Sequence, residues 1–152
     1  MTVSTRASGS LLIRAATHLD LAAVLELARE AELPETGIAE SIESFLVADE
    51  AGAVIASAGL ELYGIDALLR TVVVAAERRG TGVGRSLVEA AVRRARELEC
   101  GSVYLLTTTA REFFLQRGFE VAARGSAPPG VRDSWEFRSG CPETAVFLRR
   151  AT

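Results

Sequence analysis

Arg78-Arg79-Gly80-Thr81-Gly82-Val83-Gly84-Arg85-Ser86 lies between an apolar, β-branched run and a long amphipathic segment. Alternating glycines let backbone N–H groups approach an anion closely, a following helix N-terminus adds positive partial charge, and the flanking arginines add more. A phosphate or pyrophosphate ligand follows. A Walker loop needs Lys and then Ser or Thr after its last glycine; Arg85-Ser86 stands there and the spacing differs. A dinucleotide Rossmann turn needs G-x-G-x-x-G, whereas Gly80, Gly82 and Gly84 alternate, in mid-chain after a meander. The plain alternative is a tight strand-to-helix turn with no ligand.

Downstream of the turn, Leu87, Val88, Ala91, Val92, Ala95 and Leu98 form one stripe at helical spacing, and Cys100-Gly101 ends the helix. Upstream, residues 68–75 read as a buried strand interrupted by Arg70 and Thr71. Further out, residues 11–14, 45–48, 54–62, 102–107 and 145–149 read as strands, and another starts over 119–123. Thr17 is a helix N-cap with Asp20 as its capping-box acid, ahead of Leu21, Val24, Leu25, Ala28 and Ala31. A second short helix is expected over residues 38–45, and another over 110–117, closed by Gly118. Residues 124–142 hold three of the four prolines and read mostly as loop. The order predicts a mixed α/β sheet with helices on its faces. The expected organisation is a flexible tail over residues 1–10 and one domain over residues 11–152.

Composition narrows the function classes. Net charge is -3 with both signs spread along the chain, so no basic face argues for nucleic acid. All 17 basic residues are arginine; with no lysine there is no lysine nucleophile, and with no asparagine no N-glycosylation acceptor. Cys100 and Cys141 lack metal spacing, and His18 is the one histidine, so no metal is expected. Residues 1–10 lack a signal peptide's apolar run, and no stretch is long enough to cross a membrane, which reads as cytoplasmic.

Arg79-Gly80-Thr81-Gly82-Val83-Gly84 matches the Q/R-x-x-G-x-G/A motif of GNAT acetyltransferases, and residues 110–119, from Ala110 through Phe113-Phe114 to Gly118-Phe119, resemble their later A-x-x-F-Y-x-x-x-G-F helix. The opening Ile13-Arg14-Ala15-Ala16-Thr17 is similar to the usual start of these domains. The resemblance implies a mostly antiparallel central sheet with helices on both faces. It also implies that strand 68–75 splays from strand 102–107 to admit acetyl-CoA, a cosubstrate that needs no metal. By the same resemblance, backbone groups of Val72, Val73 and Val74 hold pantetheine; those of Arg79, Gly80, Thr81, Gly82, Val83, Gly84 and Arg85 hold pyrophosphate, with the Ser86 hydroxyl; and Phe113 and Phe114 line the coenzyme arm. A backbone N–H near Val72 or Val73 would stabilise the developing oxyanion.

Amine acetylation needs a proton acceptor. Glu61 is the first candidate and Asp66 the second; either is otherwise a solvated turn residue. Where many relatives carry a general-acid tyrosine, this chain has Phe114. Either a thiolate leaves with water's help, a thiol pKa being about 8.5, or Tyr63 or Tyr104 donates. Arg70 in an apolar run needs an anionic partner, either a structural acid or a substrate carboxylate. Thr107, Arg132 and Arg138 are further substrate candidates, Arg132 and Arg138 being otherwise plain surface charge.

A finer resemblance rests on residues 59–64, 67–70 and 104–110 and on the tail Pro128-Pro129-Gly130-Val131-Arg132 with Glu136-Phe137 and Cys141-Pro142. These resemble arsenic-resistance-associated N-acetyltransferases, themselves similar to amino-acid N-acetyltransferases. The implied acceptor is the α-amino group of an acidic amino acid or a toxic analogue such as arsinothricin or phosphinothricin, read by arginines. Cys141 is either an arsenic ligand or, on the better reading, structural. Pairing of two chains through their last strands is also implied. The competing functions are a non-catalytic acetyl-CoA sensor, a protein N-acetyltransferase and an unrelated nucleotide-binding regulatory domain.

Overall fold

A computed structural model describes residues 11–140 and 143–152. In chain order the elements are β1 Leu11–Ala15, α1 Leu21–Glu30, α2 Ile38–Ser41, β2 Leu46–Glu50, β3 Ala53–Tyr63, β4 Asp66–Val74, α3 Val83–Glu97, β5 Ser102–Thr107, α4 Arg111–Leu115, β6 Glu120–Val121, α5 Pro129–Arg132 and β7 Val146–Ala151. The seven strands form one mixed sheet in the order β1-β2-β3-β4-β5-β7-β6. The pairs β1–β2, β2–β3, β5–β7 and β6–β7 are antiparallel and β4–β5 is parallel. The chain divides into two compact units, Met1–Gly59 with Thr71–Ala91, and Leu60–Arg70 with Val92–Thr152.

The first unit starts as its sequence dictates. Thr17 accepts from the Leu19 N–H at 3.2 Å, and Asp20 Oδ2 accepts from the Thr17 N–H at 2.8 Å, completing the capping box. Arg14 then grips both Asp20 oxygens at 2.8 and 2.9 Å, and that guanidinium holds the Asp20 carboxyl below its ordinary range. Val24 and Ala28 of α1 pack with Ile38, Ile42, Phe45 and Val47 in one buried cluster. Each large side chain so buried contributes about 1.5–3 kcal/mol.

In the second unit, β5 is central. It pairs in parallel with β4 over Asp66↔Ser102, Ala67↔Val103 and Leu68↔Tyr104, and antiparallel with β7 from Ser102↔Ala151 to Thr107↔Val146. Leu68, Tyr104, Ala127, Val131 and Phe147 make its core. Tyr104 stacks on Phe147 with centroids 5.3 Å apart, and Phe137 meets Phe147 edge-on at 5.5 Å.

Several expectations are corrected. The helix expected over residues 38–45 stops at Ser41 and tightens into a 3-10 turn over Ile42–Ser44. Phe45 leaves in extended conformation, because its wholly buried ring belongs to the core. The strand expected over 119–123 is two residues long. The stretch 124–142 is not plain loop: it holds α5 and a π-helical turn over Glu136–Gly140. The last strand is no exposed edge, since β7 lies between β5 and β6; the edge argument for pairing through it lapses. The tail over residues 1–10 and Cys141-Pro142 lie outside the described residues.

Candidate active site

In the first unit, β4 gives way to a 3-10 turn over Ala76–Arg78 and then the glycine turn. Gly80 and Gly82 have φ of 79° and 90°, in the left-handed region, and a Cβ on either would meet nothing within 4 Å. Glycine is therefore required by backbone angle rather than by space. The Thr81 hydroxyl donates to the Arg78 carbonyl at 2.6 Å, and Arg79 Nε donates to the Val74 carbonyl at 3.1 Å. Arg78 forms an ion pair with Glu50, so its charge is spent on β2. In α3 the Ser86 N–H bonds back to the Gly82 carbonyl at 3.1 Å. The N–H groups of Val83, Gly84 and Arg85 precede the first intrahelical bond of α3. Thr81, Gly82, Arg85 and Ser86 are exposed. The N–H groups at the positive end of a 15-residue helix, beside the exposed Arg85, offer chemistry that suits an anion.

The second unit gathers Glu61, Tyr63, Arg70 and Glu136. Arg70 Nη1 donates to Glu61 Oε2 at 2.8 Å, with the Arg70 side chain 1% exposed. The Tyr63 hydroxyl donates to Glu61 Oε1 at 2.6 Å. Arg70 thus has a structural acid as partner, and both Glu61 oxygens already accept. Burial, with Glu61 as acceptor, pushes the Tyr63 phenol well above its ordinary range, so it keeps its proton at neutral pH. Glu136 is also buried. Burial raises its carboxyl pKa, the Arg70 charge opposes that, and Glu61 adds to it. The ring of Tyr63 lies against Gly130, where a Cβ would come within 2.6 Å of Tyr63 Cβ.

The other sequence candidates are placed elsewhere. Asp66 is raised by burial, with the charge of Arg149 opposing, and lies near Cys100 rather than in the Glu61 cluster. The buried Cys100 thiol, pushed up by burial and by Asp66, donates to the Gly64 carbonyl at 3.5 Å. Thr107 Oγ1 accepts from the Ala110 N–H at 3.0 Å, closing the turn into α4. Arg132 Nη2 donates to the Gly125 and Ala127 carbonyls at 3.1 and 3.0 Å, bracing its own loop. Arg138 and His18 are exposed. Tyr104 is committed to its stack. Phe114 is buried and meets Phe113 and Phe119 edge-on at 5.0 and 5.5 Å, and the Arg117 guanidinium covers the Phe113 ring at 3.9 Å. No group of His, Cys, Asp or Glu among the described residues could hold a metal, and no described helix is long and apolar enough to cross a membrane. Sequence reading missed Glu136 as a buried acid; its one signal was an acid between Trp135 and Phe137.

The sequence model of the acetyltransferase (GNAT) domain matches residues 41–121, more than half the chain. This chain belongs to the GNAT acetyltransferases. An amino-acid acetyltransferase of Pasteurella multocida (strain Pm70) is 30% identical over 135 residues, covering 83% of this chain and 31% of that protein. The chain thus spans about a third of the length of these amino-acid acetyltransferases. An uncharacterized N-acetyltransferase of Chlorobaculum tepidum is 32% identical over 107 residues, 70% of this GNAT chain and 66% of its own. The N-acetylglutamate synthase of Neisseria gonorrhoeae, solved with coenzyme A and L-arginine, superposes with a TM-score of 0.79 at 21% identity, over 93% of this chain and 33% of that one. A likeness at that identity establishes the GNAT fold alone.

Proposed function

We propose that this GNAT chain transfers the acetyl group of acetyl-CoA to the α-amino group of a small acidic amino acid, or of a toxic analogue of the arsinothricin or phosphinothricin kind. The observation that carries the reading is the glycine turn opening onto α3, whose first N–H groups suit a pyrophosphate. The relationship to amino-acid acetyltransferases at about 30% identity supports the acceptor class.

Acetyl-CoA supplies an activated thioester. The backbone of residues 79–85 and Ser86 holds its phosphates, and the backbone of Val72, Val73 and Val74 runs along its arm. An N–H of Val72 or Val73 donates to the carbonyl oxygen as negative charge grows there, an effect worth about 2.7–4 kcal/mol for one well-placed donor. Glu61 receives the proton of the attacking amine through water. Arg70 holds Glu61 in place and, from beneath it, adds positive charge on the side where the acceptor's carboxylate would bind; Thr107 and Arg132 shape the segments around it. With Phe114 in place of a tyrosine, the sulfur leaves as thiolate. That same absence favours, as the second reading, a domain that binds acetyl-CoA without turnover.

Release of free CoA is measured against glutamate, phosphinothricin, arsinothricin, polyamines and aminoglycosides. Turnover confined to the acidic amino acids and their analogues is expected. Tight acetyl-CoA binding with no turnover on any amine selects the second reading, and no acetyl-CoA binding sinks both.

A further inference from the structure

Thr71 has a φ of 53° in the middle of β4. A β-branched residue in the left-handed region is an outlier that persists only where its surroundings over-determine it. Thr71 is buried, and one of the groups holding it is identifiable: Ser57 of β3, 0% exposed, donates its hydroxyl to the Thr71 carbonyl at 2.8 Å. Ser57 stands between the wholly buried Ala56 and Ala58. Its acceptor lies 14 residues on, in the neighbouring strand β4. Within a strand, a left-handed residue re-aims everything that follows it, because side-chain and amide directions alternate with a period of two. The residues that follow are Val72, Val73 and Val74.

We propose that Ser57 is a positioning residue for acetyl transfer: its hydroxyl latches Thr71 in the left-handed conformation and so sets the direction of the Val72 and Val73 N–H groups. The inference rests on the acetyl-CoA reading for what those amides serve, while the latch itself concerns only the backbone of β3 and β4. A donor aimed at charge that exists only in the transition state shows in kcat rather than in substrate affinity.

Three variants test it: Ser57→Ala, Thr71→Gly and the double variant. Each is assayed for kcat, for both KM values and for melting temperature, and the Thr71 Cα chemical shift is compared between the native protein and Ser57→Ala. Ser57→Ala should move the Thr71 shift toward extended-strand values and lower kcat about 10- to 100-fold, with the acceptor KM unchanged. Thr71→Gly alone should retain kcat, because glycine adopts the left-handed region unaided. For the same reason the double variant should recover most of the kcat lost in Ser57→Ala. Wild-type kcat and Thr71 shift in Ser57→Ala overturn the proposal, as does a lower melting temperature with kcat intact, or a double variant no faster than Ser57→Ala. Absence of turnover in the wild-type protein defeats the functional reading instead, and the Thr71 shift in Ser57→Ala then decides the latch by itself.

Discussion

At the glycine turn, the groups offered to a ligand are main-chain N–H groups at an exposed helix start, and the residues around them contribute mainly by having little or no side chain. At the Glu61–Arg70 cluster the reverse holds. A guanidinium and a phenol both donate to one carboxylate, with a second, buried carboxylate, Glu136, close enough to feel their charge. The turn binds by what its helix terminus leaves unpaired; the cluster can act only by exchanging one internal partner for another. Damage should therefore register differently in the two regions: in ligand affinity at the turn, in stability and proton chemistry at the cluster.

Arg70→Ala is the hardest test of this contrast. Removing one partner of a buried pair leaves an uncompensated charge and costs about 3–5 kcal/mol. Thermal unfolding should show a fall of roughly 6–20 °C at about 2–4 °C per kcal/mol for a chain of this size, with acetyl-CoA affinity retained in the folded fraction. Gly82→Ala should do the opposite. Forcing a Cβ into the left-handed region costs about 1–2 kcal/mol, a drop of roughly 2–8 °C in melting temperature, and calorimetric titration should find acetyl-CoA binding weakened about 10-fold. If Gly82→Ala lowers stability as much as Arg70→Ala, the contrast is wrong. Arg85→Ala should weaken acetyl-CoA binding by a few-fold, on the order of 0.5–1 kcal/mol for an exposed charge, and the loss should shrink as salt is added.

The smallest effect is a change of slope. Burial holds the folded-state pKa of Glu136 above its ordinary value. The fold is therefore favoured by its protonated form below the ordinary carboxylate range, and that contribution disappears as pH rises through the raised pKa. Glu136→Gln should gain melting temperature relative to the native protein between pH 4 and pH 8. A constant gap across that span would show that Glu136 ionises as freely in the fold as out of it.

What was legible in the sequence was local. The glycine turn, the stripe of α3 and the Thr17–Asp20 capping box are each written within a few consecutive residues, and each appears in the structure. What was illegible depends on residues brought from elsewhere. The helix over 38–45 stops early because Phe45 is claimed by the core. Arg70 was expected to need an acid, but not which; Glu61 answers from nine residues back, at the far end of the turn joining β3 to β4. Glu136 sits in what reads as a polar, proline-containing loop, and nothing local marks its burial. Thr71 is the sharpest case, since a β-branched residue in an apolar run argues for regular strand and the structure bends it into the left-handed region.

The contact between Gly130 and the ring of Tyr63 has an evolutionary consequence. Loops that cover small-molecule sites are where relatives diverge when they exchange one substrate for another, and the exposed Ser126, Arg132, Asp133, Arg138 and Ser139 are positions that such drift can rewrite. Position 130 is withheld from that freedom. Any side chain there drives into Tyr63, and through its hydroxyl into Glu61. A lineage can therefore retune this loop at many positions, but at this one it must keep glycine or rebuild the hydrogen-bond cluster beneath it.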